Sequence, residues 1–171
     1  YNGIQTLELG VPASAQFAAA PIRPQKPIVF YGTSILQGGC ASRPGMAYPA
    51  IIGRHLDWPT INLGFSGNAI SEPEVAQLLA ELDPAVYVLD AVPNMTTARV
   101  TERIEPFVKT LRHAHPQTPI VLVEEEIYTN AKFVQFQHER NVRNNAALKA
   151  AYQRLRQAGV KRLYYIPADT L

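Results

Sequence analysis

The sequence holds a single cysteine, Cys40. No disulfide within the chain can brace the fold, and cysteine usage leaves the redox compartment undecided. No stretch approaches the ~20 consecutive apolar residues of a membrane-spanning helix. Charge of either sign is sparse: charged residues make up 18% of the 171 positions, and 16 basic against 14 acidic side chains leave a net +2. That balance lacks the basic excess of a nucleic-acid binder. The one local basic cluster, Arg140, Arg143, Lys149, Arg154, Arg156, Lys161 and Arg162, reads as a solvated helix face. Gly-x-Gly-x-x-Gly and Gly-Lys-Ser/Thr phosphate loops are missing, as is any His/Cys/Asp cluster at ligand spacing. Neither a nucleotide cofactor nor a metal is therefore expected. The first residue is Tyr1 rather than Met, so a targeting segment can have been removed upstream, and a secreted or periplasmic location is compatible with the chain.

What the chain does have is apolar bulk, 47% of its residues, enough for one ordinary domain with a substantial core. From Pro27 onward, short apolar runs alternate with helical patterns. Strands are predicted over 28–31, 60–63, 85–89, 120–123 and 162–166, and helices near 48–56, 73–82, 97–113 and 133–158. Runs such as Val86-Tyr87-Val88-Leu89 and Ile120-Val121-Leu122-Val123 suit strands buried on both faces. Five strands joined by crossover helices imply an α/β three-layer sandwich around a parallel, flavodoxin-like sheet. Pro49 suits a first helical turn, and Ser71 with Glu74 has the spacing of a capping box. Residues 1–26 differ from the rest. Ile4 to Val11 alternates loosely like a strand, and an Ala/Pro-rich stretch to Lys26 follows. This segment, 1–26, reads as a linker or the remnant of a preceding β-rich domain, and 27–171 as a separate α/β domain.

Three strand ends carry polar or glycine-rich turns: Gly32-Thr33-Ser34, Asn62-Leu63-Gly64-Phe65-Ser66-Gly67-Asn68, and Asp90-Ala91-Val92-Pro93-Asn94-Met95. A parallel sheet brings such turns to one edge, where open α/β folds place their chemistry. Ser34 is a candidate nucleophile. Backbone N–H groups of Ser34 and of a glycine in the second turn, with the Asn94 amide, can serve as oxyanion donors, each commonly worth roughly 3–4 kcal/mol in a hydrolase. Ordinary loop chemistry explains any one of these turns alone.

Together the three turns resemble the sequence blocks of the SGNH hydrolases, the GDSL esterase/lipase superfamily, over Pro27 to Leu171. The resemblance implies Ser34 as nucleophile and oxyanion donor, with Gly67 and Asn94 completing the oxyanion hole. Gly67 is preferred because Ser66-Gly67-Asn68 fits the second block; Gly64 is the reserve. Arg43-Pro44-Gly45-Met46-Ala47-Tyr48-Pro49 is similar to a subgroup often preceded by a β-sandwich domain. The chain departs from the family at Thr33, where Asp is usual, and at Pro93 and Met95, which replace the Gly and Asp flanking the Asn. The family takes its catalytic His, with an Asp three residues earlier, from a loop after the last strand. Here only Pro167 to Leu171 follow, and Asp-x-x-His occurs nowhere. The expectation is a chain truncated at its C-terminus that lacks the base.

His55, His113, His115 and His138 are read as surface residues, with His138 the least remote from the site. Cys40 is a reactive thiol near the site or, as the favoured reading, a small buried turn residue. Glu124, Glu125 and Glu126 form a solvated loop or turn one carboxylate toward the cleft, and Asp90 orients the Asn94 turn by hydrogen bonds. Two functions remain open. One is a serine esterase acting through a seryl intermediate on a small-molecule or carbohydrate ester. The other is a non-catalytic module binding a small anion or glycan.

Overall fold

The computed structural model describes residues 5–131 and 133–171. Five strands, β1 (Ile28–Gly32), β2 (Thr60–Gly64), β3 (Val86–Asp90), β4 (Ile120–Val123) and β5 (Leu163–Ile166), form one sheet in the order β2-β1-β3-β4-β5. Every pairing is parallel, so each connection crosses the sheet and carries helix. The helices are α1 (Ser34–Gln37), α2 (Tyr48–Leu56), α3 (Pro73–Ala80), α4 (Thr97–Ala114) and α5 (Gln135–Gln157). The predicted α/β architecture holds, with element ends moved by a few residues.

Right-handed crossovers decide which face each helix covers. The step from β1 to β2 runs one way across the sheet, and the steps to β3, β4 and β5 run the other way. Helices α3, α4 and α5 consequently share a face. Their Ala76, Leu79, Ile104, Phe107, Leu111, Leu148 and Leu155 form one cluster with Val29, Tyr31, Tyr87, Leu89, Ile120, Leu122 and Leu163 of the strands. Tyr31 stacks on Phe107 at 5.1 Å between ring centres. The opposite face receives α2, whose Tyr48 meets Phe30 edge-on at 5.8 Å.

Local sequence explains most helix ends. Pro49 lies in the first turn of α2, and Asp57 closes that helix in the left-handed region at φ 48°. Thr96 caps α4 by accepting from the Arg99 N–H at 3.3 Å.

Three expectations need correction. Gln5 to Val11 forms no strand and is exposed, because nothing among the described residues pairs with it; Ile4 lies outside them. Ser71 is not the cap of α3. Glu72 holds that position without a side-chain cap bond, since Ser71 is turned away at φ 54° with its N–H on the Tyr31 hydroxyl at 3.1 Å. Cys40 is exposed rather than buried, because the turn after α1 runs over the surface.

Candidate active site

Gly32 ends β1 level with Gly64 of β2 on one side and Asp90 of β3 on the other. The three polar turns therefore leave the carboxyl edge from adjacent strands, with the Ser34 strand in the middle. Two glycines make this close packing possible. A Cβ on Gly32 would stand 2.4 Å from the Asp90 carbonyl oxygen, and one on Gly64 would stand 2.4 Å from the Gln37 nitrogen. Gly64 is thus a packing residue that lets β2 approach α1. Gly67 differs: it sits exposed at φ 69° with open space where a side chain would project.

Ser34 opens α1 directly after its cap. Thr33 is fully buried, and its hydroxyl accepts from the Ile35 N–H at 3.3 Å, so the family's Asp position is filled here by a residue that also caps. The Ser34 N–H belongs to the first turn, whose amides have no intrahelical acceptor.

The second turn bends through three left-handed residues, Gly67 at φ 69°, Ala69 at φ 61° and Ser71 at φ 54°. The two non-glycine positions each cost on the order of 1–2 kcal/mol, and the surroundings hold them. Tyr31 donates to Glu72 Oε2 at 2.9 Å and accepts from the Ser71 N–H, while the Ile70 N–H donates to the same carboxylate oxygen at 3.1 Å. Burial and the adjoining carboxylate push the Tyr31 hydroxyl well above the usual phenol range, so it stays a donor.

Asn94 lies at the end of a single 3-10 turn, Val92–Asn94. Its side-chain amide donates to the Asn68 carbonyl at 2.5 Å, next to Gly67. The structure thus brings the second and third turns into direct contact.

The acidic residues at this edge depart from expectation. Asp90 does not bond the Asn94 turn; it points to the α2 face and accepts from the Tyr48 hydroxyl at 2.7 Å. Burial raises its carboxyl to about 7, the Tyr48 bond opposes this, and Glu126 and Glu125 reinforce it. Glu124 to Glu126 is no solvated loop. Glu124 takes the Tyr165 hydroxyl and, at 2.7 Å, the Ala168 N–H. Glu125 is fully buried and paired with Arg140 of α5. Burial pushes Glu125 upward, and Arg140 is the largest influence holding it down. Sequence reasoning missed this pairing because a charged triplet and a charged helix read equally well as solvent-facing.

Among the described residues no histidine side chain hydrogen-bonds to the turns; the one histidine side-chain bond runs from His115 to the Ala80 carbonyl. His55, His113 and His138 are exposed. His115 stands before β4 at the opposite edge, its Nε2 2.9 Å from the Ala80 carbonyl. Among the described residues there is no metal-ligand cluster, and no helix is long and apolar enough to cross a membrane. A groove of about 480 Å³ runs along the α2 face of the sheet, lined by Phe30, Ile52, Val88, Val121, Ile166 and Leu171 among others. Ile35, next to Ser34 in the chain, also lines it, as do Asp90 and Glu126.

The chain matches the GDSL-like Lipase/Acylhydrolase family over residues 25–171. A crystal structure described as a GDSL-like lipase from Bacteroides ovatus is 44% identical, with a TM-score of 0.82 over 85% of this chain and 43% of its own. The chain therefore spans less than half of that relative. A salicylyl-acyltransferase from a tetracycline biosynthetic pathway shares 18% identity, with a TM-score of 0.72 over 86% of this chain and 44% of its own. A family two carbohydrate esterase from Clostridium thermocellum, solved with cellohexaose, shares 14%, with a TM-score of 0.66 over 89% of this chain and 56% of its own. These last two likenesses concern the fold. No curated protein matches the chain in sequence. On the family match and the Bacteroides relative, this chain belongs to the GDSL-like lipase/acylhydrolase family.

Proposed function

We propose that the chain carries the nucleophile and the oxyanion hole of a serine esterase acting on acetylated carbohydrate or a similar small ester. The observation that carries this reading is the bond from the Asn94 amide to the Asn68 carbonyl, made across the turns of strands that flank the Ser34 strand. Ser34 Oγ attacks the ester carbonyl carbon and loses its proton to a base. The Ser34 and Gly67 N–H groups and the Asn94 amide hold the oxygen that becomes negative. The acyl–oxygen bond then breaks, the alcohol leaves with that proton, and water releases the acid from the seryl ester by the same steps. The Asn94 amide exchanges the Asn68 carbonyl for the oxyanion as substrate enters.

The base, in this reading, lies in residues beyond Leu171, as no histidine of the described residues hydrogen-bonds to the turns. The span of less than half of the Bacteroides relative agrees with it. The carbohydrate esterase likeness supports the substrate class.

The test is a pair of chains, the 171 residues and the full-length protein, assayed with an activated acetyl ester and a fluorophosphonate label. The full-length protein should turn over and be labelled at Ser34, with Ser34→Ala losing both. The 171-residue chain should keep no more than the ~10³–10⁴-fold acceleration over water that an oxyanion hole and binding alone provide. Full activity from the short chain would point to His138 or another base within the 171 residues. A full-length protein that neither turns over nor labels would favour a module that only binds.

A further inference from the structure

Helix α5 buries a polar face where an amphipathic helix would place leucines. Arg140, Asn141, Asn144 and Asn145 fall at helical spacing on one side, and the three asparagines are 1%, 0% and 8% exposed. Burying such groups is costly unless each is bonded, so the bonds they make show what the face does. Arg140 Nη1 donates to the Pro93 carbonyl at 3.0 Å, and Asn144 Nδ2 donates to the Met95 carbonyl at 3.0 Å. These carbonyls belong to the residues immediately before and after Asn94. The Asn144 oxygen is itself fixed by the Thr97 hydroxyl at 2.7 Å, at the start of α4. Arg140 extends its other amino group to buried Glu125, and Asn145 holds both the N–H and the carbonyl of Glu125, at 2.9 and 2.8 Å.

The turn bearing Asn94 has little to hold itself. Its own backbone bonds are Asn94 N–H to Ala91 at 3.4 Å and Met95 N–H to Val92 at 2.9 Å. We infer that Arg140 and Asn144 are positioning residues that fix the backbone on both sides of Asn94 and so aim its amide at the site. The inference rests on the esterase reading for its catalytic consequence and on geometry for the rest. A donor displaced by about 1 Å can cost on the order of 10²-fold in rate, so a turn with weak internal bonding needs an external frame.

The experiment is a double-mutant cycle in the full-length protein. Asn144→Ala should lower kcat by about 10-fold or more with KM nearly unchanged, and Arg140→Met should act likewise, with Arg140→Lys recovering part of the loss. Once Asn94→Ala has removed the amide, adding Asn144→Ala should change kcat no further, because nothing is left to aim. An equal loss in both backgrounds, or no loss from a folded Asn144→Ala protein, overturns the inference. Exchange of the Asn94 side-chain amide protons gives a readout independent of turnover: Asn144→Ala or the milder Arg140→Lys should speed it, and unchanged exchange in both also overturns the inference. If the unmodified full-length protein shows no Ser34-dependent turnover, the esterase reading fails by itself, and the exchange measurement still decides whether α5 aims Asn94.

Discussion

The two faces of the sheet are built from the same residue types and end in different states. On the α3–α5 face, Val29, Tyr31, Tyr87, Leu89, Ile120, Leu122 and Leu163 are at most 4% exposed. On the α2 face their immediate neighbours Ile28, Val86, Val88, Val121 and Ile166 are only half-buried and line an open groove. The sequence pattern treats the faces alike, since val-and-leu runs without alternation read as covered on both sides. The difference comes from connection direction: three crossovers bring helices to one face and a single one to the other. The turns at the carboxyl edge straddle this divide, with Asn94 framed from the crowded side by α5 and Asp90 tied to α2 on the open side.

The largest effect should come from the crowded side. Glu125→Ala would leave Arg140 beside an empty, buried position, a loss of about 3–5 kcal/mol by analogy with broken buried ion pairs. Urea unfolding measures it, and a loss below ~1 kcal/mol would mean that water reaches the pair.

Next is a matched pair from one strand. Leu122→Ala, on the covered face, should cost about 2–5 kcal/mol, while Val121→Ala, one residue earlier on the open face, should cost below about 1 kcal/mol. Equal costs would show that the open face is buried in solution.

Asp90 gives the comparison a pH dependence. Its folded carboxyl titrates at about 7, above the ~3.9 of an unfolded Asp, so the folded state binds more protons between those values. Stability from this group is therefore greatest at acidic pH and falls as pH rises from about 4 toward 7. Asp90→Asn keeps an acceptor for Tyr48 and should flatten that part of the profile. An unchanged slope would assign it to other groups.

The smallest effect belongs to Tyr164, 53% exposed on the open side of β5. Tyr164→Lys should shift stability by no more than ~0.5 kcal/mol; a larger drop would reveal a contact made in solution.

The order of strands and helices and the edge on which the polar turns gather were legible in the sequence, because periodicity and turn chemistry are local; the close packing that requires Gly32 and Gly64 was not. The positions of Ser34, Gly67 and Asn94 in their turns followed from the same local signals and from family resemblance. Other features were invisible because they depend on residues far apart in the chain. Ser71 has the spacing of a cap, but the Tyr31 hydroxyl, 40 residues away, claims its N–H. Glu125 and Arg140 each look like surface charges until α5 brings them together, with Glu125 fully buried and Arg140 partly so. Asn144 looks like a poor helix former until its amide meets the Met95 carbonyl 49 residues earlier. Sequence by itself determined the α/β alternation and the turn chemistry, since apolar period and glycine placement act on neighbouring residues. Only the tertiary structure decided which face was covered and which buried polar groups found partners, because desolvation is set by what packs against a group and not by what adjoins it in the chain.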